Sequence, residues 1–460
     1  MNGRVARIEL RRSVAPWAGA LVPVFALALL YLIPGPWAWD NVRWTEQWTS
    51  LAMWTRSLLV FLWPLVLGLG ALQGLRDHRS AMGELLTSTP RPAWHRAATL
   101  TGTIALTLVA GFALLIVVGG AQVLAGGAYQ HLGWLPISLV AALALIAAAV
   151  LGMGLGRTLP SPLTPPALTV AAFVLTNLLR TAEGPAIPSP AAPNRLVLLS
   201  PAVSQVREVL LTLSTSVHLG QTLWLLGLAA TGFALLAAAT RRGRLFAVAP
   251  VLAGSVLALL VLPSDPRRTY VVDTAAAAMV CEGRVCVTKL HEARLHDLAG
   301  PGEKALRLLH GALGDRAPAA IRESTGLRDL LDTPERSRTA VLVDFGDGAI
   351  GKAKGEELTR ALLGQGLAPA CAPRSEREGG SMSDIVAQDI AAAWVLGDLK
   401  PLHGTAQDPD RQTARALPVW KRFRALPPAE RRARIDAVRE AALACGDSGA
   451  LDQLPGGASR

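Results

Sequence analysis

Four groups of residues in the 460-residue chain carry side chains at spacings that chemistry can use, and all of them lie beyond residue 280. The string VLVDFGDGAIGKAKG, Val341 to Gly355, begins within an apolar run, Ala340 to Phe345, that has strand character, and it matches two phosphate-binding patterns. As a P-loop it supplies Gly346, Gly351 and Lys352, but Ala353 stands where a Ser or Thr hydroxyl must hold magnesium. As a dinucleotide fingerprint it supplies Gly346, Gly348 and Gly351, but Gly355 interrupts the next helix, and no second strand closes on an acidic residue about 20 positions on. A glycine-rich strand-to-helix turn accounts for the string. HEARLH, His291 to His296, resembles a zinc-protease signature until its spacing is counted. Histidines four apart on a helix lie about 40° from each other, whereas five apart gives about 140°, so these two cannot share one metal in that geometry. A solvated helix face is expected there. Gly379-Gly380-Ser381-Met382-Ser383 approaches a nucleophile elbow, but Ser383 replaces the second glycine and no strand precedes it. The chain is therefore read as no enzyme, with no catalytic residue, cofactor-binding residue or metal ligand of its own.

The fourth group is Cys281, Cys286, Cys371 and Cys445. Cys281 and Cys286 flank Glu-Gly-Arg-Val within AMVCEGRVCVT, which reads as two short strands around a glycine-containing turn. A cross-strand disulfide there, with Cys371 paired to Cys445, is the preferred arrangement among the three that four cysteines allow, and four free thiols are the alternative. The placement itself carries information, because the half of the chain before these residues has no cysteine. Pairing needs an oxidising compartment.

The two halves also differ in charge. Residues 1 to 262 hold 17 Arg, no Lys and 7 acidic residues, net +10, while residues 263 to 460 hold 28 Arg plus Lys against 27 acidic residues, net +1. Charged residues are 17% of the chain, against roughly 25% in a soluble globular protein. The first half contains seven uncharged apolar runs: Val14 to Ile33, Ser57 to Leu75, Ala97 to Val118, Leu135 to Leu155, Pro166 to Leu179, Thr222 to Thr240 and Leu245 to Leu262. A bilayer core needs roughly 20 apolar residues as a helix, and only the fifth run is clearly short. With the N-terminus cytoplasmic, Arg4, Arg7, Arg11, Arg12, Arg76, Arg79, Arg91, Arg96, Arg157, Arg241, Arg242 and Arg244 fall on the inner side, as cytoplasmic loops require. Arg43, Arg56, Arg180, Arg195 and Arg207 fall on the outer side, where Trp37, Trp39, Trp44, Trp48 and Trp54 have the character of a headgroup-boundary belt or of loop packing. Basic residues placed between apolar runs mark membrane topology rather than a nucleic-acid footprint, so no nucleic-acid partner is expected. An odd number of spans puts the tail outside the cytoplasm, in agreement with its cysteines. The expected fold is an α-helical polytopic membrane protein with a C-terminal soluble mixed α/β domain: residues 1–244 with six spans, 245–262 as a seventh transmembrane helix, and 263–460 as an extracytoplasmic domain.

The loop between the second and third runs, RDHRSAMGELLTSTPRPAWHRAATL, places Met82, Leu85 and Leu86 on one side of a short helix that Thr89-Pro90 would end. It can dock a partner or serve as a plain connector. Its basic residues (Arg79 among them), then Glu84-Leu85-Leu86, then Ser88-Thr89-Pro90 and a basic cluster resemble the first cytoplasmic loop of ABC-2 type transporter permeases. In RLVLLSPAVSQVREVLLTLS, Val203, Val206, Val209, Leu210 and Leu213 recur at helical spacing, which predicts an amphipathic helix at the outer surface. Short outer helices before a final span, and Leu199-Ser200-Pro201, are similar to that family too. The resemblance covers about Met1 to Thr240, and a seventh span and the long tail go beyond the minimal six-span pattern. It implies a coupling loop at Arg79, Glu84, Leu85, Leu86, Thr89 and Pro90, a separate ATPase subunit that binds the ATP, a homodimer or a second permease as partner, and export. No charged residue lies near the middle of any run, which disfavours ion-coupled transport. A membrane-anchored receptor or interaction protein whose tail binds a ligand is the second reading.

In the tail, the patterns predict strands at Thr269 to Asp273, around the cysteine turn and at Ala340. They predict helices from about Glu292 to Leu313, Glu356 to Leu363, Ser383 to Val395 and Pro428 to Ala444. Such alternation belongs to a compact α/β or α+β domain. The mixed charges of the last helix mark a solvated face.

Overall fold

The computed structural model describes residues 13–38, 43–79, 92–181, 193–202, 210–325, 334–372, 381–404, 408–446 and 449–455. The chain divides into two compact units, which part in the main between Val271 and Val272.

The first unit is helical. Its helices are α1 (Ala15–Leu32), α2 (Trp48–Ser57), α3 (Leu59–Arg79), α4 (Ala93–Ala125), α5 (Trp134–Thr158), α6 (Thr164–Thr181), α7 (Asn194–Val197), α8 (Thr215–Ala237), α9 (Arg241–Phe246) and α10 (Ala249–Val261). Six candidates among the described residues are long and apolar enough to cross a membrane: α1, α3, α4, α5, α8 and the stretch Arg241–Val261. The fifth apolar run forms a shorter apolar helix, Thr164–Leu179. All seven runs are thus helical, and the last opens with Arg241-Arg242 in a separate short helix before Pro250 starts α10.

Helix α5 forms the centre of the unit, packed against α3 and α8, with Ala144, Leu145, Ala147, Ala148, Ala149 and Met153 fully buried. Small residues let the backbones meet. A Cβ on Gly70 or Gly74 of α3 would overlap the carbonyls of Ala149 or Met153, and one on Gly152 or Gly156 of α5 those of Leu67 or Ala71. This is the mode by which helices associate where water supplies no hydrophobic drive between them. Large apolar side chains instead line the outside of the unit, Leu32 at 78% and Phe246 at 78% exposure, with Leu114, Val117, Leu139, Val170, Val174 and Leu260 also exposed.

Of the two readings of the outer tryptophans, packing is the one the contacts favour: Trp44 and Trp54 are buried, Trp37 meets Trp54 edge-on at 5.9 Å, and Trp48 stacks on Trp134 at 4.9 Å. They form a helix-capped aromatic layer around α2, in a stretch read as a link; Trp39 lies outside the described residues. The amphipathic helix expected through Leu213 is corrected at its end. Leu211–Leu213 is a strand, β1, paired with β2 (Tyr270–Val272). Its Leu211 and Leu213 are buried on one face while Thr212 is not, a period of two that helical spacing had absorbed. Val203, Val206 and Val209 lie outside the described residues.

The second unit is α/β. β3 (Met279–Glu282) and β4 (Val285–Thr288) form the hairpin, with Cys281 directly opposite Cys286 and Gly283 at φ +61° in the turn. β4, β5 (Ala320–Glu323) and β6 (Ala340–Val343) run parallel in the order β3-β4-β5-β6. α11 (Glu292–Leu313) connects β4 to β5 and presses Leu295, Leu298, Leu306 and Leu309 into the core. After β6 come the single turn α12 (Gly348–Gly351), then α13 (Gly355–Leu367), α14 (Met382–Leu396), α15 (Pro409–Arg424) and α16 (Pro428–Ala444). These enclose Phe423, Ile390, Leu362, Ile435 and Val438. The disulfides join Cys281 to Cys286 and Cys371 to Cys445, with Cα atoms 4.1 Å and 5.6 Å apart.

Candidate functional site

Arg56, which the arginine count puts on the outer side, is the single charged residue between Glu46 and Arg76. It is the penultimate residue of α2 and is 0% exposed. The backbone carbonyls at the C-terminal end of that helix favour a cation. Its Nε donates to the carbonyl of Pro201 at 3.2 Å, and Nη2 donates to Gln221 Oε1. Gln221, two turns into α8, turns its amide the other way and donates to the carbonyls of Leu198 at 2.9 Å and Ser200 at 3.0 Å. The Leu199-Ser200-Pro201 segment is thereby strapped to α2 and α8 through one guanidinium and one amide.

The network is incomplete in a particular way. Arg56 Nη1, Ser200 Oγ and His218 Nδ1 are buried without a hydrogen-bond partner. His218 lies one turn before Gln221 on α8 and within electrostatic reach of Arg56. The hydrogen-bond acceptors of the guanidinium among the described residues are a carbonyl and an amide oxygen, both neutral, and the Tyr270 phenol lies within electrostatic reach. A buried cation ordinarily keeps a carboxylate partner, because hydration lost on burial must be replaced. Beside this centre, Asn194 Nδ2 donates to Pro263 O at 2.9 Å and Thr269 Oγ1 at 3.3 Å, which ties α7 to the segment after α10.

The expected coupling loop is placed only at its edge. Arg79 ends α3, and Glu84, Leu85, Leu86, Thr89 and Pro90 lie outside the described residues. The second unit clarifies the other motifs. In the Val341 to Gly355 string, the amides that a phosphate would need are taken by the loop's own carboxylates: Gly346 N donates to Asp344 Oδ1 at 2.8 Å and Ala349 N to Asp347 Oδ1 at 3.0 Å. A Cβ on Gly348 would strike the Gly404 carbonyl, so that glycine serves close packing. The string is a strand-to-helix turn with negative charge where a phosphate would sit. Of the two histidines in HEARLH, His296 is exposed, but His291 is not a solvated-face residue. Its Nδ1 meets Glu323 Oε1 at 2.6 Å, its ring lies 4.6 Å from Phe345, and Glu323 Oε2 accepts from Thr288 N at 2.7 Å. This lock pins together the C-terminal ends of β4, β5 and β6. Ser381 and Ser383 face each other at 2.5 Å beside a recess of about 240 Å³ lined by Cys371, Cys445, Asp384 and Gly449. Asp384 accepts from the amides of Cys371 at 2.9 Å and Ala372 at 3.1 Å, a structural bracket beside the disulfide.

Sequence reasoning noted Leu199-Ser200-Pro201 and missed Arg56, Gln221 and His218. The available signal was a lone arginine at the mouth of a long uncharged run. No protein-family model, curated protein or solved structure matches the chain.

Proposed function

We propose that the chain is the membrane-spanning permease subunit of an ABC-2 type exporter, driven by a separate ATPase that docks on the loop around Glu84 to Pro90. The observation that carries this reading is the apolar outside of the first unit. Its helices are long and apolar, meet through glycines and carry large apolar side chains on the outside, an arrangement suited to a lipid solvent. The loop resemblance adds the coupling role, and the lack of charge near mid-span favours an external energy source.

In this reading the N-terminus is cytoplasmic, the inner loops keep twelve of the seventeen arginines, and the second unit is extracytoplasmic, where its two disulfides persist. That side assignment requires α6 to cross. Its 18 residues span about 27 Å as a helix, close to the hydrocarbon thickness, and its Val170, Val174, Leu175 and Leu178 point outward. The subunit works as a homodimer or beside a second permease, and the outer unit contacts or gates the substrate.

The test is a Glu84→Ala, Leu85→Ala double substitution in the full chain. The expected result is normal accumulation in the membrane with ATPase co-purification reduced about tenfold or more and transport-linked function lost. Unchanged co-purification and function would contradict the reading and favour a membrane-anchored receptor.

A further inference from the structure

The centre built on Arg56 has polar atoms left over that no described residue satisfies. A guanidinium has five N–H donors, and a charged donor bonds a carboxylate or phosphate oxygen more strongly than a neutral one does. Here Nε and Nη2 are committed to Pro201 and Gln221, while Nη1 is free and buried. Ser200 Oγ and His218 Nδ1, on the residues that hold or adjoin the fork, are equally without partners. Three buried polar atoms without partners, on residues of one network around a guanidinium that meets only neutral oxygens among the described residues, give this place donors and an acceptor suited to an oxyanion.

We propose that Arg56, with Ser200 and His218, binds the oxyanion head, carboxylate or phosphate, of the ligand that this unit handles. Gln221 is a positioning residue: its Oε1 holds Nη2, and its amide fixes the Leu198 and Ser200 carbonyls. The assignment rests on the permease reading for its meaning as a substrate site, although binding itself does not need the ATPase.

The experiment uses the full-length protein in maltoside micelles, without ATPase, and follows thermal unfolding with three probes: sodium phosphate, dodecyl phosphate and decanoate. Dodecyl phosphate or decanoate is expected to raise Tm by several degrees, since a ligand that binds only the folded state stabilises it. Stabilisation by sodium phosphate as well would identify a soluble ligand class, and stabilisation by the amphiphiles alone a lipid-borne one. Arg56→Gln should weaken probe binding roughly thirtyfold or more, and Arg195→Gln, at an exposed arginine, should leave it unchanged. His218→Glu covers the case in which Arg56→Gln fails to fold, because it gives the guanidinium an internal carboxylate. It should accumulate normally and no longer respond to any probe. A wild-type protein that none of the probes stabilises, or a His218→Glu or Arg56→Gln variant that binds as the wild type does, would overturn the proposal. Probe binding without ATPase association would leave the site standing and remove the permease reading. ATPase association without probe binding would do the reverse.

Discussion

The two units differ in what they show on their surfaces. In the first, leucine, valine and phenylalanine also cover the outside, while the inside combines glycine and alanine with leucines such as Leu62, Leu108 and Leu145; in the second, Phe423, Ile390 and Leu362 are interior, and Arg284, Arg316 and Arg338 face outward. Charge is handled differently as well. The outer arginines of the second unit have carboxylates, Arg284 with Glu303 at 2.6 Å, Arg316 with Asp436 at 2.7 Å and Arg338 with Glu440 at 2.6 Å, whereas Arg56 in the first is buried among neutral oxygens. The exposed apolar side chains of the first unit are compatible with lipid as its solvent, and the charged surface and apolar interior of the second with water, which is the two-solvent account.

Four changes sharpen or break that contrast. The largest effect belongs to the water-driven core: Phe423→Ala should cost about 3–5 kcal/mol of the second unit's stability, measured by denaturant-dependent proteolysis of the full chain. Removing the Cys371–Cys445 bridge, which closes a 74-residue separation, should cost about 2–4 kcal/mol, and removing Cys281–Cys286, five residues apart, clearly less in the same assay. Third, Leu114→Arg on the outward face of α4, at 53% exposure, should penalise membrane insertion by about 2.5–3.5 kcal/mol. The same change at Leu417 on α15, at 40% exposure, should stay within about 0.5 kcal/mol. Equal effects at the two leucines would remove the two-solvent account.

The smallest effect concerns pH. The Arg284 guanidinium holds the Glu303 carboxyl below its ordinary 4.5, Arg338 does the same for Glu440, and Arg360 followed by Lys400 holds Asp398 below 3.8. A depressed carboxylate stabilises the fold above its unfolded value and loses that contribution as pH falls through the folded value. The second unit should therefore melt at the same temperature from pH 7 down to about pH 5 and lower below about pH 4, and replacing Glu303, Asp398 and Glu440 by glutamine should flatten that limb.

Much of the fold was legible because it follows a period. The seven apolar runs, the cysteine hairpin and the helices at Glu292 to Leu313 and Pro428 to Ala444 all announce themselves by apolar spacing or by length. β5 escaped because Ala320–Glu323 is four residues long and its alternation ends before it becomes a pattern. α15 escaped because Pro418 and six charged residues hide a stripe of Ala416, Val419, Trp420 and Phe423, which is buried at helical spacing all the same. β1 was misread because a short strand next to a helix shares its leucines with either period. The Arg56 centre was not legible at all: its parts lie 145 and 165 positions apart in the chain, and only the fold brings α2, the Ser200 segment and α8 together. His291 shows the same limit, since its partner Glu323 is set by strand order rather than by spacing.

The most direct test of the account is crosslinking from Ser88→Cys in the native membrane, followed by mild-detergent recovery of the full-length protein and mass spectrometry. The account predicts a nucleotide-binding subunit joined at that position, and its yield should fall in the Glu84→Ala, Leu85→Ala background. Recovery of the intact chain with no ATPase at that position would contradict it and make the second, α/β unit the place to look for a ligand.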